Sequence, residues 1–168
     1  AAQETETLTV DFDGGYDLYT FPTTYCDNAS TIASGLITDN SARSNGRCTS
    51  ASPPQMLVQV KVLVELPGVS TVTSVAYNYR YARTDPNGIA LTVELLDDEM
   101  SAVETYYEVL YSPRFTINDR EHTGTSANVS YIQVTAAASG FDIFDDSYTT
   151  VDNITVEYVP TVGLHKPL

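Results

Sequence analysis

With 168 residues, the chain has the length for one domain built round a single core. Its 22 acidic against eight basic side chains leave a net charge of −14, which repels nucleic acid and anionic membrane surfaces and argues against both as partners. No run approaches the roughly 20 apolar residues of a membrane-spanning helix.

Residues 1–6, AAQETE, are polar, and the small residues at the start fit the end left by signal-peptide cleavage, so an exported, extracellular protein is expected. The stretch 8–13 alternates Leu8, Val10 and Phe12 with Thr9, Asp11 and Asp13 and predicts a first strand, stopped by Gly14 and Gly15. From 16 to 54 the composition turns to Ser, Thr, Asn, Asp and Gly. It reads as a long connection with one short strand at 35–38, pinned by a disulfide between Cys26 and Cys48. Closing that loop would contribute roughly 3 kcal/mol on the chain-entropy model.

The strongest signal is QMLVQVKVLVEL at 55–66, where Met56, Val58, Val60, Val62, Val64 and Leu66 occupy every second position. A 3.6-residue period would scatter these side chains, so the segment predicts a strand with one face in the core. Pro53, Pro54 and Pro67 bracket it. A second alternating run at 71–83 sets Val75, Tyr77, Tyr79 and Tyr81 on one face, and Asp85-Pro86-Asn87-Gly88 reads as the turn of a hairpin into a strand at 89–96. A turn at Asp97-Asp98-Glu99 leads to a strand at 102–111, then a short one at 115–117. Residues 118–127 read as a polar loop, 128–135 as a strand, 136–140 as a small-residue link, and 141–144 and 151–159 as the last strands. Eight or nine strands with turns between them and no helix predict an all-β, two-sheet antiparallel sandwich, a jelly roll rather than an immunoglobulin-like key.

The segments LTVDFDGG and FDIFDDSYTTVDNITVEY, ending in Asp152-Asn153-Ile154-Thr155-Val156, resemble secreted jelly-roll domains. These are the galactose-binding-like, carbohydrate-binding-module-like domains and related bacterial exoproteins. The resemblance implies a structural calcium near the chain ends and, for many members, glycan binding. Its usual stacking tryptophan is absent, because the chain contains no Trp.

The candidate sites follow from residue chemistry. Asp11, Asp13, Asp142, Asp145, Asp146 and Asp152 lie on the first and last strands and their loops, where a jelly roll can gather carboxylates for calcium. The alternative is a solvated acidic rim. Tyr77, Tyr79 and Tyr81, joined by Tyr106, Tyr107 and Tyr111, form either a stripe that stacks on sugar rings or the margin of the core. Asn28, Asn128 and Asn153 head N-glycosylation sequons. No nucleophile, metalloprotease or phosphate-loop motif is present, so the chain reads as a non-enzyme; paired carboxylates leave a glycosidase as the sole catalytic alternative. The tail at 160–168 spaces Val162, Leu164 and Leu168 along an extended segment, as suits strand addition to another copy. The leading expectation is thus a self-assembling subunit of an extracellular filament or surface layer, a homo-polymer. The alternative is a carbohydrate-binding module with a structural calcium.

Overall fold

The computed structural model describes residues 4–11, 20–26, 31–38, 41–48, 56–82, 88–111, 116–140 and 147–161. Nine strands run in chain order: β1 (Glu6–Val10), β2 (Thr20–Cys26), β3 (Thr31–Thr38), β4 (Ser41–Cys48), β5 (Met56–Ala82), β6 (Ile89–Leu96), β7 (Ala102–Leu110), β8 (Asn118–Gly140) and β9 (Ser147–Pro160). No helix occurs among the described residues.

Two strands decide the architecture. β5 has 27 residues and β8 has 23, several times the usual strand length, so each must bend and serve in two layers. Their antiparallel pairing runs from Met56↔Gly140 to Glu65↔Tyr131, breaks register at the bend, and resumes from Ser70↔Val129 to Tyr79↔Asn118. One layer is therefore β2, the first half of β5, the second half of β8, β6 and β7. The other holds the second half of β5 between the first half of β8 and β9, with β1 and β4 pairing in turn along the far side of β9 and β3 beyond β4. Pro67 and Gly68 occupy the bend, where a lost ladder donor is tolerated.

The alternating valines do line the interior. Val60, Val62, Val64 and Leu66 are buried, as are Ile89, Leu91, Val93 and Leu95 of β6 and Ile132, Val134, Ala136 and Ala138 of β8. They share one buried cluster with Val75, Tyr77, Tyr79 and Tyr81 of the opposite layer and with Val151, Ile154 and Val156 of β9. The fold is the two-sheet antiparallel β-sandwich of jelly-roll type that the strand pattern predicts.

Several local expectations are corrected. The connection at 16–54 carries three strands rather than one, because β4 (SARSNGRC) gains its partners from β3 and β9 and not from its own polar composition. The polar loop at 118–127 and the small-residue link at 136–140 are the two ends of β8, held as strand by pairing with β5. Residue 117, expected in a short strand, is not one. Most consequentially, β5 and β6 form no hairpin: β6 pairs with β7 and β8, in the other layer from the end of β5. Gly88 instead lies at the start of the β6–β7 ladder, just before the Ile89↔Leu110 pair, where a Cβ would collide with the Leu110 carbonyl. The turn after β6 is as expected. Asp97 Oδ1 accepts the N–H of Glu99 and of Ser101, both at 2.9 Å.

Asn128 and Asn153 adopt left-handed backbone, with φ of 63° and 49°. Both sit where a ladder slips. Val72 pairs with Ser126 but Ser70 with Val129; Ala76 pairs with Thr155 but Asn78 with Asp152. An extra residue on one strand makes a bulge, and asparagine tolerates its positive φ better than most residues. The backbone thus supplies a reason for asparagine at two of the three sequons that is independent of glycosylation. Asn153→Gly is expected to preserve stability against urea, whereas Asn153→Val should lose about 1–2 kcal/mol; equal losses in the two variants would dismiss the bulge explanation.

Candidate functional site

Two faces of the edge strand β7 present distinct chemistry, because successive side chains point to opposite sides of a sheet. On the outward side lie Val103, Tyr107, Val109 and Tyr111, all exposed. Cross-strand pairing extends this side into rows. Lys61, Thr135, Thr92 and Tyr107 are one row, and Leu63, Gln133, Glu94 and Thr105 the next. A third runs Gln59, Ala137, Ala90 and Val109. Each row spans about 14 Å from β5 to β7 at the usual strand spacing.

Exposure changes steeply along them. Leu63 and Thr135 are only 8% and 7% exposed although they face outward, while Tyr107 is 67% exposed and Tyr111 76%. The face is therefore shielded at its centre and open at β7. Its polar groups are mixed donors and acceptors, and Gln133 Nε2 donates to Glu94 Oε1 at 3.2 Å. Where this face meets the bend lies a pocket of about 210 Å³, lined by Glu65, Leu66, Pro67, Gly68, Val69, Asp98, Ser130 and Tyr131.

On the inward side of β7 the chemistry is ionic. Arg120 of β8 grips Glu108 with two parallel bonds, Nε to Oε1 and Nη2 to Oε2, the second at 2.6 Å. His122, two residues on, is stacked on Tyr106 with centroids 4.9 Å apart and lies 6.1 Å from the Tyr77 ring. Its Nε2 is 3.8 Å from Glu108 Oε1, beyond hydrogen-bond range. The hydroxyl of Tyr106 packs over Gly124, 2.8 Å from where a Cβ would stand. Two polar atoms are buried here without a partner, Tyr77 Oη and His122 Nε2.

Burial and the Arg120 charge hold the His122 imidazole below its ordinary 6.5, against a weaker pull from Glu108. The hydrogen bonds from Arg120 hold the Glu108 carboxyl below its ordinary 4.5 despite partial burial. Burial pushes the Tyr77 phenol well above the usual tyrosine range, and Glu108 adds to the rise.

The predicted residues are scattered by comparison. Tyr77, Tyr79 and Tyr81 are 2–3% exposed and belong to the core, so they do not offer rings to a sugar from outside. Of the two readings of these rings, the core one holds for all three, while Tyr107 and Tyr111, grouped with them in the sequence, are exposed. Asp11 and Asp152 lie one and two residues beyond the Val10↔Ile154 pair, at the same end of the β1–β9 pairing. Asp13, Asp142, Asp145 and Asp146 lie outside the described residues, and among the described residues no three His, Cys, Asp or Glu groups cluster. Asn128 and Asn153 are exposed; Asn28 lies outside the described residues, as do Val162, Leu164 and Leu168. Cys26 and Cys48 close β2 and β4, and their side chains lie outside the described residues. Glu108 and Arg120 were not foreseen, although Arg120 and His122 alternate with Asp119, Glu121 and Thr123, a period-2 signal hidden by the polarity of both faces.

No protein-family model matches the sequence, and none of the curated proteins is a match. Solved structures share the fold. A carbohydrate-binding module of promiscuous specificity from the β-sandwich superfamily is 11% identical, with a TM-score of 0.52 over 90% of this chain and 61% of that one. Infectious bursal disease virus, Gt strain, gives 10% identity and a TM-score of 0.51 over 95% of this chain and 33% of that one. The chain thus spans less than two thirds of either. Among the described residues no helix is long and apolar enough to cross a membrane.

The ionic side generates a pH prediction. A folded imidazole held below 6.5 takes up its proton later than the unfolded one, so stability present above pH 6.5 is lost as pH falls below it. Glu108, held below 4.5, contributes stability that disappears as pH falls through its folded value. Thermal midpoints should therefore decline in two stages on acidification, and His122→Gln should flatten the first, which begins as pH falls below 6.5, while sparing the second. An unaltered slope in that upper window would contradict the assignment to His122.

Proposed function

We propose that the chain is an extracellular carbohydrate-binding module that takes a neutral polysaccharide on the outer face of the β2–β5–β8–β6–β7 layer. The observation that carries this reading is the exposure gradient across this face, from the shielded Leu63 and Thr135 at its centre to the bare rings of Tyr107 and Tyr111 at its β7 edge. A sugar presents an apolar ring face and a hydroxyl edge. Recognising it takes a flat aromatic surface beside a few oriented donors and acceptors. Lys61, Thr92, Glu94, Gln133 and Thr135 supply the second requirement, and Tyr107 the first. The net charge of −14 disfavours anionic polysaccharides. The shared fold of a carbohydrate-binding module supports the reading without fixing a ligand. A structural calcium held by Asp11 and Asp152 with Asp13, Asp145 and Asp146 would suit the same extracellular setting.

Self-assembly is the second reading, and the described feature that favours it is the exposed apolar side of edge strand β7. One variant separates the two. In affinity electrophoresis against soluble neutral polysaccharides, Tyr107→Ala should weaken retention about tenfold, or ~1.4 kcal/mol, with the thermal midpoint unchanged. Tyr79→Phe should retain binding. If no neutral polysaccharide retards the wild type, and Tyr107→Ala alters sedimentation instead, the face serves association between copies.

A further inference from the structure

The exposed apolar surface of the described residues is gathered in one place. All six large apolar side chains that are exposed among them lie between residues 100 and 117, on β7 or beside it. β7 is also a free edge, since among the described residues it pairs with β6 alone. Edge strands are ordinarily blunted by lysine, proline or a bulge. Here the one irregularity falls at Val103, where Leu95 pairs with Glu104 but Leu96 with Ala102. From Glu104 to Leu110 the ladder is regular and contains neither Lys nor Pro. On its far side it presents a row of backbone N–H and C=O groups that no described strand takes up.

We propose that this edge pairs with the β7 of a second copy, antiparallel and about a two-fold axis at Tyr107, giving a closed dimer with one continuous sheet. The occupant follows from the order of residues along the edge. A two-fold axis through an antiparallel pair sets one residue opposite itself, and the midpoint of the regular stretch is Tyr107. That register faces Thr105 with the partner's Val109, Tyr106 with the partner's Glu108, and Glu104 with the partner's Leu110. The two Tyr107 rings meet on the outward side as a cross-strand aromatic pair. Moving the axis to Tyr106 would set Glu104 against the partner's Glu108, and moving it to Glu108 would set that carboxylate against its own copy. Like charges directly opposite are destabilising, so both neighbouring registers are disfavoured. An axis at Thr105 or Val109 overlaps only one end of the regular stretch.

The net charge of −14 opposes association, but at physiological ionic strength charges farther apart than about 8 Å are largely screened. Within that range Arg120 already holds the Glu108 carboxylate with two bonds, which leaves one other carboxylate, Glu104, on the pairing stretch. Pairing through the backbone keeps the outward rows open and joins the outer faces of two copies edge to edge. The proposal takes up the second reading above, association between copies, and holds whether or not that face binds a polysaccharide.

The test is sedimentation velocity of the untagged chain over a concentration series at physiological ionic strength, with no sugar present. A reversible monomer–dimer equilibrium is expected. Tyr107→Glu and Tyr107→Lys each set two like charges across the axis, so both should weaken dimerisation at least about tenfold despite their opposite signs. Tyr107 is exposed, and circular dichroism checks that both variants fold. Under mild oxidation Tyr107→Cys should give a disulfide-linked dimer on a non-reducing gel, whereas Thr105→Cys, two residues away on the same side, should not. A monomer at every concentration overturns the proposal. So does a dimer that Tyr107→Lys strengthens, which would place the contact against an acidic surface, and so does growth beyond the dimer. Cross-linking through Thr105→Cys in place of Tyr107→Cys overturns the register.

Discussion

The structure depends on one pairing, that of β5 with β8, which continues round the bend between the layers. Each strand is too long to be straight in a domain of this size; β5 turns an apolar row inward on both sides of the bend, and β8 does so on its second half. The change of layer costs only a short break in the ladder, near Pro67 and Gly68 on β5 and Asn128 on β8, where a missing donor or a positive φ does least harm. With both layers cut from the same two strands, neither sheet can slide against the other. Every other strand then adds to an edge whose position is already fixed.

How much of this was legible depends on where the information resides. The row from Val60 to Leu66 announces itself because burial on one face imposes period 2 on β-branched residues, and that is a local property of the sequence. The strand Ser41–Cys48 does not, because its reason for being extended is a neighbour more than 100 residues away, as in Ala42↔Val151. The Asp85-Pro86-Asn87-Gly88 turn illustrates a different limit. Turn chemistry states that the chain reverses, but not whether the next strand stays in the same sheet.

The tyrosines show why the sequence left two readings open. Alternation separates two faces of a strand without naming which is inner, and tyrosine is equally at home in both environments, with an apolar ring and a polar tip. Tyr77, Tyr79 and Tyr81 lie on the face of β5 that meets the opposite layer, whereas Tyr107 and Tyr111 lie on the side of the β7 segment turned away from it, opposite Tyr106 and Leu110. The edge position gives β7 its double character. Its inner side-chain row meets the rim of the opposite layer at Arg120 and His122, so a single strand couples an ionic cluster inside to an aromatic surface outside.

The position of β9 has a consequence for biogenesis. It follows the other eight strands in chain order, yet it fills the middle of its layer, between β5 on one flank and β1 and β4 on the other. Until residues 147–160 emerge, the nascent polypeptide holds an empty slot with unsatisfied amides on both banks. Glu6 waits for Tyr158 across nearly the whole length of the chain. A polypeptide arrested or cleaved before that point would expose just the kind of strand edges that other molecules capture, so its survival depends on residues 147–160 reaching the slot before anything else finds the gap.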